Sequence, residues 1–182
     1  MIIIAEVKPE APNWKSDKSW EELFVIAESI GDWISIHTDS RWGGSIDLIR
    51  RARKLTCKPI LAKGIHTDQE TIDKMLECGA DYVLTLDFIP ERNADKCLIE
   101  ISDIEVLKRS PKKLKYVWNS RDIWALLNKA EPKERIPFEQ VRQMFPDLWL
   151  CQASNISAVQ DVDPRADAVL VGTHLEAFAK SL

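Results

Sequence analysis

The stretch Ile2-Ile3-Ile4-Ala5-Glu6-Val7-Lys8 begins as a short apolar run and ends on two charged side chains. The same form returns in Pro59-Ile60-Leu61-Ala62-Lys63, Cys97-Leu98-Ile99-Glu100-Ile101 and Lys115-Tyr116-Val117-Trp118-Asn119. Runs that are apolar on both faces suit parallel strands covered by helices. A polar residue closing each run is the pattern of a barrel that builds its site at the C-terminal strand ends.

Working outward from residue 8, eight such runs alternate with helical patterns. The strands are expected at Ile2–Val7, Trp33–His37, Pro59–Ala62, Tyr82–Leu86, Cys97–Ile101, Lys115–Trp118, Leu148–Gln152 and Ala168–Val171. Amphipathic stretches at Trp20–Ile30, Ser45–Leu55 and Thr67–Cys78 separate the early ones. Asp68 is placed to cap the third helix, with Gly79 just past its end. Eight βα units predict one compact (β/α)8 barrel domain over residues 1–182. That length is well below the usual ~250 residues, so some helices must be shortened or missing. The connections Asp87–Lys96, with Pro90, and Ile156–Arg165 are too short for a helix and two loops. Lys129–Arg142 reads as a long surface connection with a helix starting near Pro137. An open doubly wound sheet is the alternative, and it would scatter the strand-end polar residues about a switch point.

Composition narrows the function classes. A net charge of −4 carries no electrostatic footprint for nucleic acid or an anionic membrane. The basic runs Arg50–Lys54 and Lys112–Lys115 read as solvated faces. No apolar stretch approaches the ~20 residues that span a bilayer, and the N-terminal run is too short for a signal peptide, so a cytoplasmic location is expected. Cys57, Cys78, Cys97 and Cys151 lack CxxC spacing and read as reduced, mostly buried thiols. His37, His66 and His174 lack metal-ligand spacing.

The strand-end residues carry the chemistry. Glu6 and Lys8, two apart, point to one side, as an edge ion pair or as part of a barrel mouth. Lys63 either reaches solvent or sits desolvated as a general acid. Glu100, flanked by apolar residues, must be paired if buried, and pairing with Lys63 or Lys8 would join an acid to a base. Asn119 is a substrate hydrogen-bonding group or a turn residue after its strand. Ser154, Gly172 and Thr173 follow the last two strands, where barrel loops commonly hold phosphate. Trp14 and Trp42 fall in mouth loops, free to stack on an aromatic ring or to pack internally.

Taken in order, these segments resemble indole-3-glycerol phosphate synthase. The resemblance rests on Ile3–Lys8, Ile34–Asp39 with Gly43-Gly44-Ser45, Pro59–Lys63, Gly79-Ala80-Asp81, Leu98-Ile99-Glu100, Asn119–Asp122 and Ala166–Gly172. It implies a TIM barrel that closes the indole ring of 1-(2-carboxyphenylamino)-1-deoxyribulose 5-phosphate, releasing carbon dioxide and water in tryptophan biosynthesis. The substrate it implies is a phosphorylated small molecule, and it implies neither metal nor organic cofactor. By position, Lys63 resembles the general acid and Glu100 the second acid/base group. Glu6 and Asn119 resemble the positioning residues, and Lys8 the group that contacts substrate anions. Ser154, Gly172 and Thr173 fall where the family grips phosphate. The sequence departs from the family in several places. The family's N-terminal helical extension has no counterpart before the first strand. Its Lys-Asp-Phe is Lys63-Gly64-Ile65 here, and its Glu-Ser-Gly is Ala153-Ser154-Asn155. Pro9–Trp14 replaces its Ser-Pro-Ser loop. A divergent relative with another phosphorylated substrate, or an inactive binding barrel, is the alternative.

Overall fold

The computed structural model describes residues 1–182. Its eight parallel strands close on themselves: β1 (Ile2–Val7), β4 (Trp33–His37), β5 (Ile60–Lys63), β6 (Tyr82–Leu86), β7 (Cys97–Glu100), β8 (Lys115–Asn119), β9 (Trp149–Ala153) and β10 (Ala168–Val171). β1 pairs with both β4 and β10, which completes the ring and rules out the open sheet. A two-stranded hairpin, β2 (Glu10–Ala11) and β3 (Trp14–Lys15), rises from the end of β1.

Seven helices surround the strands: α1 (Trp20–Ile30), α2 (Ile46–Arg53), α3 (Gln69–Glu77), α4 (Ile104–Arg109), α5 (Ile123–Asn128), α6 (Phe138–Met144) and α7 (Leu175–Ser181). Local chemistry starts each of the first three. Ser19 and Glu22 form a reciprocal capping box at α1, Ser45 caps α2, and Asp68 accepts from Thr71 N–H at α3. α1 buries Trp20, Leu23, Phe24 and Ala27, the 3.6-residue stripe of a helix lying on a sheet. Gly79, with φ +106°, takes the left-handed turn that follows α3. As the chain length requires, the β6–β7 and β9–β10 connections hold only single 3-10 turns. β8–β9 instead holds two helices, with α6 starting directly after Pro137.

Strand alternation sorts the barrel into layers. Outward residues such as Ile34, Ile60, Val83, Ile99 and Trp118 join the helices in one core. Inward residues Ile4, Leu61, Leu84, Leu98, Val117, Cys151 and Leu170 fill the barrel itself. Below them Trp33 and Tyr82 stack with centroids 4.2 Å apart, and Lys115 lies over Tyr82, so this lysine belongs to the barrel floor rather than a solvated run. Arg53 of the other basic run is also structural, bonding Asp81 and the carbonyls of Thr56 and Lys58. Cys57 is exposed, and the other three cysteines are buried and free. No helix is long and apolar enough to cross a membrane.

Candidate active site

The layer above the aliphatic fill is polar. Glu6, Lys8, His37, Glu100 and Asn119 are all buried there, and Lys63 is partly buried beside them. Lys63 and Asn119 lie within their strands, one residue further than the sequence pattern indicated. Asn119 is thus the last residue of its strand, and its side chain also caps the turn that follows by accepting from Arg121 N–H.

Glu6 organises one side. Lys63 Nζ donates to Glu6 Oε1 at 3.0 Å, and Lys8 Nζ lies 3.9 Å from Oε2. Burial alone would push this carboxyl up, but the Lys63 and Lys8 ammoniums override it and hold it at about 2. Burial lowers Lys8 to about 8 against the pull of Glu6, with the charges of Lys63 and Arg121 adding to the drop. Lys8 also donates to Thr173 Oγ1 at 2.8 Å. A Cβ at Gly172 would overlap Glu6 Oε2 and lie 3.0 Å from its Cδ. Glycine at 172 thus makes room for the carboxylate.

Glu100 organises the other side. The expected bond to Lys63 or Lys8 is not formed, because Glu6 lies closer to both ammoniums. Glu100 Oε1 instead accepts from Asn119 Nδ2 at 2.9 Å. Asn119 Oδ1 accepts from Ser154 Oγ at 2.6 Å and from Arg121 N–H at 2.9 Å. Burial pushes the Glu100 carboxyl above the ordinary range, with Lys63, Asn119 and Arg135 opposing. The two carboxyls are thus pushed in opposite directions, Glu6 down and Glu100 up.

Lys63 borders two small cavities of roughly 30 Å³ each. One is cationic, with Lys8, Arg121, Ser154, Thr173 and His174. The other is mainly apolar, with Trp42, Ile65, Leu86 and Ile123 beside Glu100 and Asn119. Larger hollows of about 550 and 840 Å³ lie away from these residues. Charge and convergence, rather than size, make the mouth the candidate site. No three His, Cys, Asp or Glu side chains gather as a metal site.

His37 and Arg121 were missed from sequence as site residues. Alternation from Trp33 through Ser35 puts His37 on the inward face, a signal that was available. Its Nδ1 accepts from Asp39 N–H at 3.3 Å, so Nε2 carries the proton toward Glu6 Oε1 4.0 Å away. Burial lowers it to about 3, which keeps the ring neutral. Trp42 stacks on it with centroids 5.0 Å apart and is itself buried, so the internal-packing reading holds for this tryptophan. Trp14 is partly buried, 5.9 Å from Lys8 Nζ. Gly64 has a local cause as well. A Cβ there would overlap Thr38 Oγ1 and lie 2.8 Å from His66 Nε2, groups that are 2.9 Å apart.

A closed (β/α)8 barrel with a polar, partly cationic mouth is the class of protein that these observations define. No family profile matches the chain. It is 34% identical over 89 residues to indole-3-glycerol phosphate synthase of Campylobacter curvus (strain 525.92), a match spanning 46% of this chain and 34% of that protein. The same enzyme of Campylobacter concisus (strain 13826) is 33% identical over 88 residues, with the same coverage. The matched stretch spans about a third of the length of these curated relatives. The crystal structure of 3-hexulose-6-phosphate synthase from Salmonella typhimurium is similar over 100% of this chain and 98% of that one, with TM-score 0.68 and 15% identity. That likeness establishes the TIM-barrel fold.

Proposed function

We propose that this barrel is a synthase-like lyase acting on a phosphorylated, anthranilate-derived sugar, closing the indole ring of 1-(2-carboxyphenylamino)-1-deoxyribulose 5-phosphate. The observation that carries the reading is the position of Lys63 on the wall between a cationic and an apolar cavity, with a low-pKa and a high-pKa carboxyl nearby. In a widened mouth the apolar side would receive an anthranilate ring and the cationic side a phosphate.

The chemistry assigns a task to each group. The ring carbon bearing the carboxylate attacks the ketone carbon, and the ketone oxygen takes a proton from the Lys63 ammonium. The C–CO2 bond then breaks and its electron pair restores the aromatic ring. Glu100, whose carboxyl burial pushes upward, supplies in its protonated form the acid that releases the hydroxyl as water. A neighbouring C–H proton passes to the Lys63 amine, left neutral by its earlier donation, as the indole double bond forms, which restores the ammonium. Glu6 orients Lys63 through their 3.0 Å hydrogen bond, Asn119 orients Glu100, and Lys8 with Thr173 faces the phosphate. Room for the substrate requires the mouth to widen, since ligand sites commonly measure ~300 Å³ or more.

Purified protein given this substrate is expected to produce indole fluorescence, and turnover no greater than in Lys63→Ala would overturn the proposal. Ala153 at the end of β9 favours a second reading. Its methyl group contributes no carboxylate to the mouth, which suits a barrel that handles a phosphorylated sugar without cyclising it. Phosphate-ligand binding without indole formation would support that reading.

A further inference from the structure

The connection from α5 to α6 is tied to the end of the barrel at three points. Lys129 ends α5 with φ +51°, and the chain runs on past Pro132 to Pro137. Asp122 Oδ2 accepts from Lys133 N–H at 3.1 Å, and Ile136 O accepts from Trp118 Nε1 at 2.8 Å. Between those ties Arg135 lies over the Trp118 ring, 4.3 Å from its centroid. Its Nη1 donates to Ser102 O at 2.6 Å and its Nη2 to Ile101 O at 3.1 Å. One guanidinium therefore bridges the residues that follow Glu100 on β7 and the residue that precedes Asn119 on β8. Its buried Nε has no partner, so the charge sits there at a desolvation cost that the two carbonyl bonds and the ring must offset.

We propose that Arg135 is a positioning residue for the Glu100–Asn119 pair, pinning the chain where it leaves Glu100 from outside the barrel wall. The inference rests on Glu100 being the acid–base group assigned above. Arginine suits this place because its planar fork reaches two adjacent carbonyls while one face covers an indole. Its charge also reaches Glu100. The charged groups bearing on that carboxyl are Lys63 from β5, Arg135, and Asp87 beyond β6; Asp122 and Asp103 act on Arg135 in turn. Asp87 braces the same corner, accepting from Ser102 N–H at 2.7 Å and Trp124 Nε1 at 2.6 Å.

The test is a carboxyl titration of the full chain carrying 13C-labelled glutamate, with the Glu100 signal assigned by its loss in Glu100→Gln. Arg135→Met is expected to raise the Glu100 midpoint by about half a pH unit or more, because a favourable charge and a fixed geometry are both lost. Arg135→Lys is expected to shift it less. Arg142→Met serves as the comparison, since Arg142 also binds backbone carbonyls but at the opposite end of the barrel, with Leu148 and Asp167. An unchanged Glu100 midpoint in folded Arg135→Met overturns the proposal, and so does an equal shift in Arg142→Met. If Arg135→Met does not fold, Arg135→Gln, which keeps an amide donor without the charge, is read the same way. The titration needs no substrate, so failure of the lyase reading and failure of this one are distinguishable.

Discussion

The Glu6 carboxylate occupies the space in which a side chain at Gly172 would begin. Strand pairing enforces this closeness, because β1 and β10 run side by side and present both residues to the barrel mouth. Gly172→Ala must therefore move Glu6 off its ammonium partners. It is expected to destabilise the fold by about 1–3 kcal/mol, as overpacking commonly does. In a Glu6→Ala background the same change should cost much less. Urea unfolding of the four-member cycle reads the coupling, and equal penalties in both backgrounds would refute it.

Acid should expose the Glu6 pairing. Its carboxyl lies at about 2 in the fold against an ordinary 4.5, so the unfolded chain takes up the proton first. Stability from this group is present above pH 4.5 and is lost as pH falls from 4.5 toward 2. Glu6→Gln should be less stable at neutral pH and lose less of its stability over that acid window. Parallel acid slopes for the two proteins would contradict the assignment.

Glu100 should behave with the opposite sign. Its carboxyl is raised above the ordinary 4.5, so the native state keeps a proton that the unfolded chain releases. This group's contribution is complete below pH 4.5 and declines as pH rises through the folded value. Glu100→Gln should gain melting temperature relative to wild type more at pH 8 than at pH 4. Each kcal/mol corresponds to about 2–4 °C for a domain of this size. Turnover should fall in the same variant. A melting-temperature difference independent of pH would remove the basis for a proton held on Glu100.

Anion affinity at the mouth should follow Lys8. Its ammonium titrates at about 8, so inorganic phosphate or pyrophosphate should bind progressively less well as pH rises through that value. Calorimetry should show a weakening of roughly tenfold for each pH unit once the amine is mostly neutral. Lys8→Met should bind weakly and without this dependence. Wild-type affinity that stays level to pH 9.5 would place the anion elsewhere.

The barrel was legible because its strands are written as unbroken apolar runs. All eight appear at the expected apolar runs, rich in Ile, Val and Leu in most and in aromatic residues in β8, and only their ends differ by a residue or so. The short helices α4, α5 and α7 were less legible, since six or seven residues give too few turns for a periodic pattern. The candidate site was legible as a set of residues but not as a set of pairs. Sequence places Glu6, Lys63, Glu100 and Asn119 at strand ends, yet only the ring of pairings decides that Lys63 meets Glu6 and Glu100 meets Asn119. Gly172 shows the same limit. Its residue type suggests backbone approach to a ligand, whereas its immediate neighbour is a side chain from a strand more than 160 positions earlier. Arg135 gave no signal, because nothing local marks an arginine in a polar connection as reaching back to residues 101 and 102.

The link between β6 and β7, which holds a single 3-10 turn and no α-helix, bears on how the chain reaches this form. The ten residues 87–96 close that pair, against the 29 residues 120–148 between β8 and β9. Loop-closure entropy grows by about 0.6 kcal/mol per doubling of length, so the shorter link is favoured by roughly 1 kcal/mol. The strand that carries Glu100 therefore has the least entropic barrier to finding its partner, and the Glu100 carboxyl is anchored on the barrel's most local seam. Omission of a helix, read first as economy of length, is also a head start in folding.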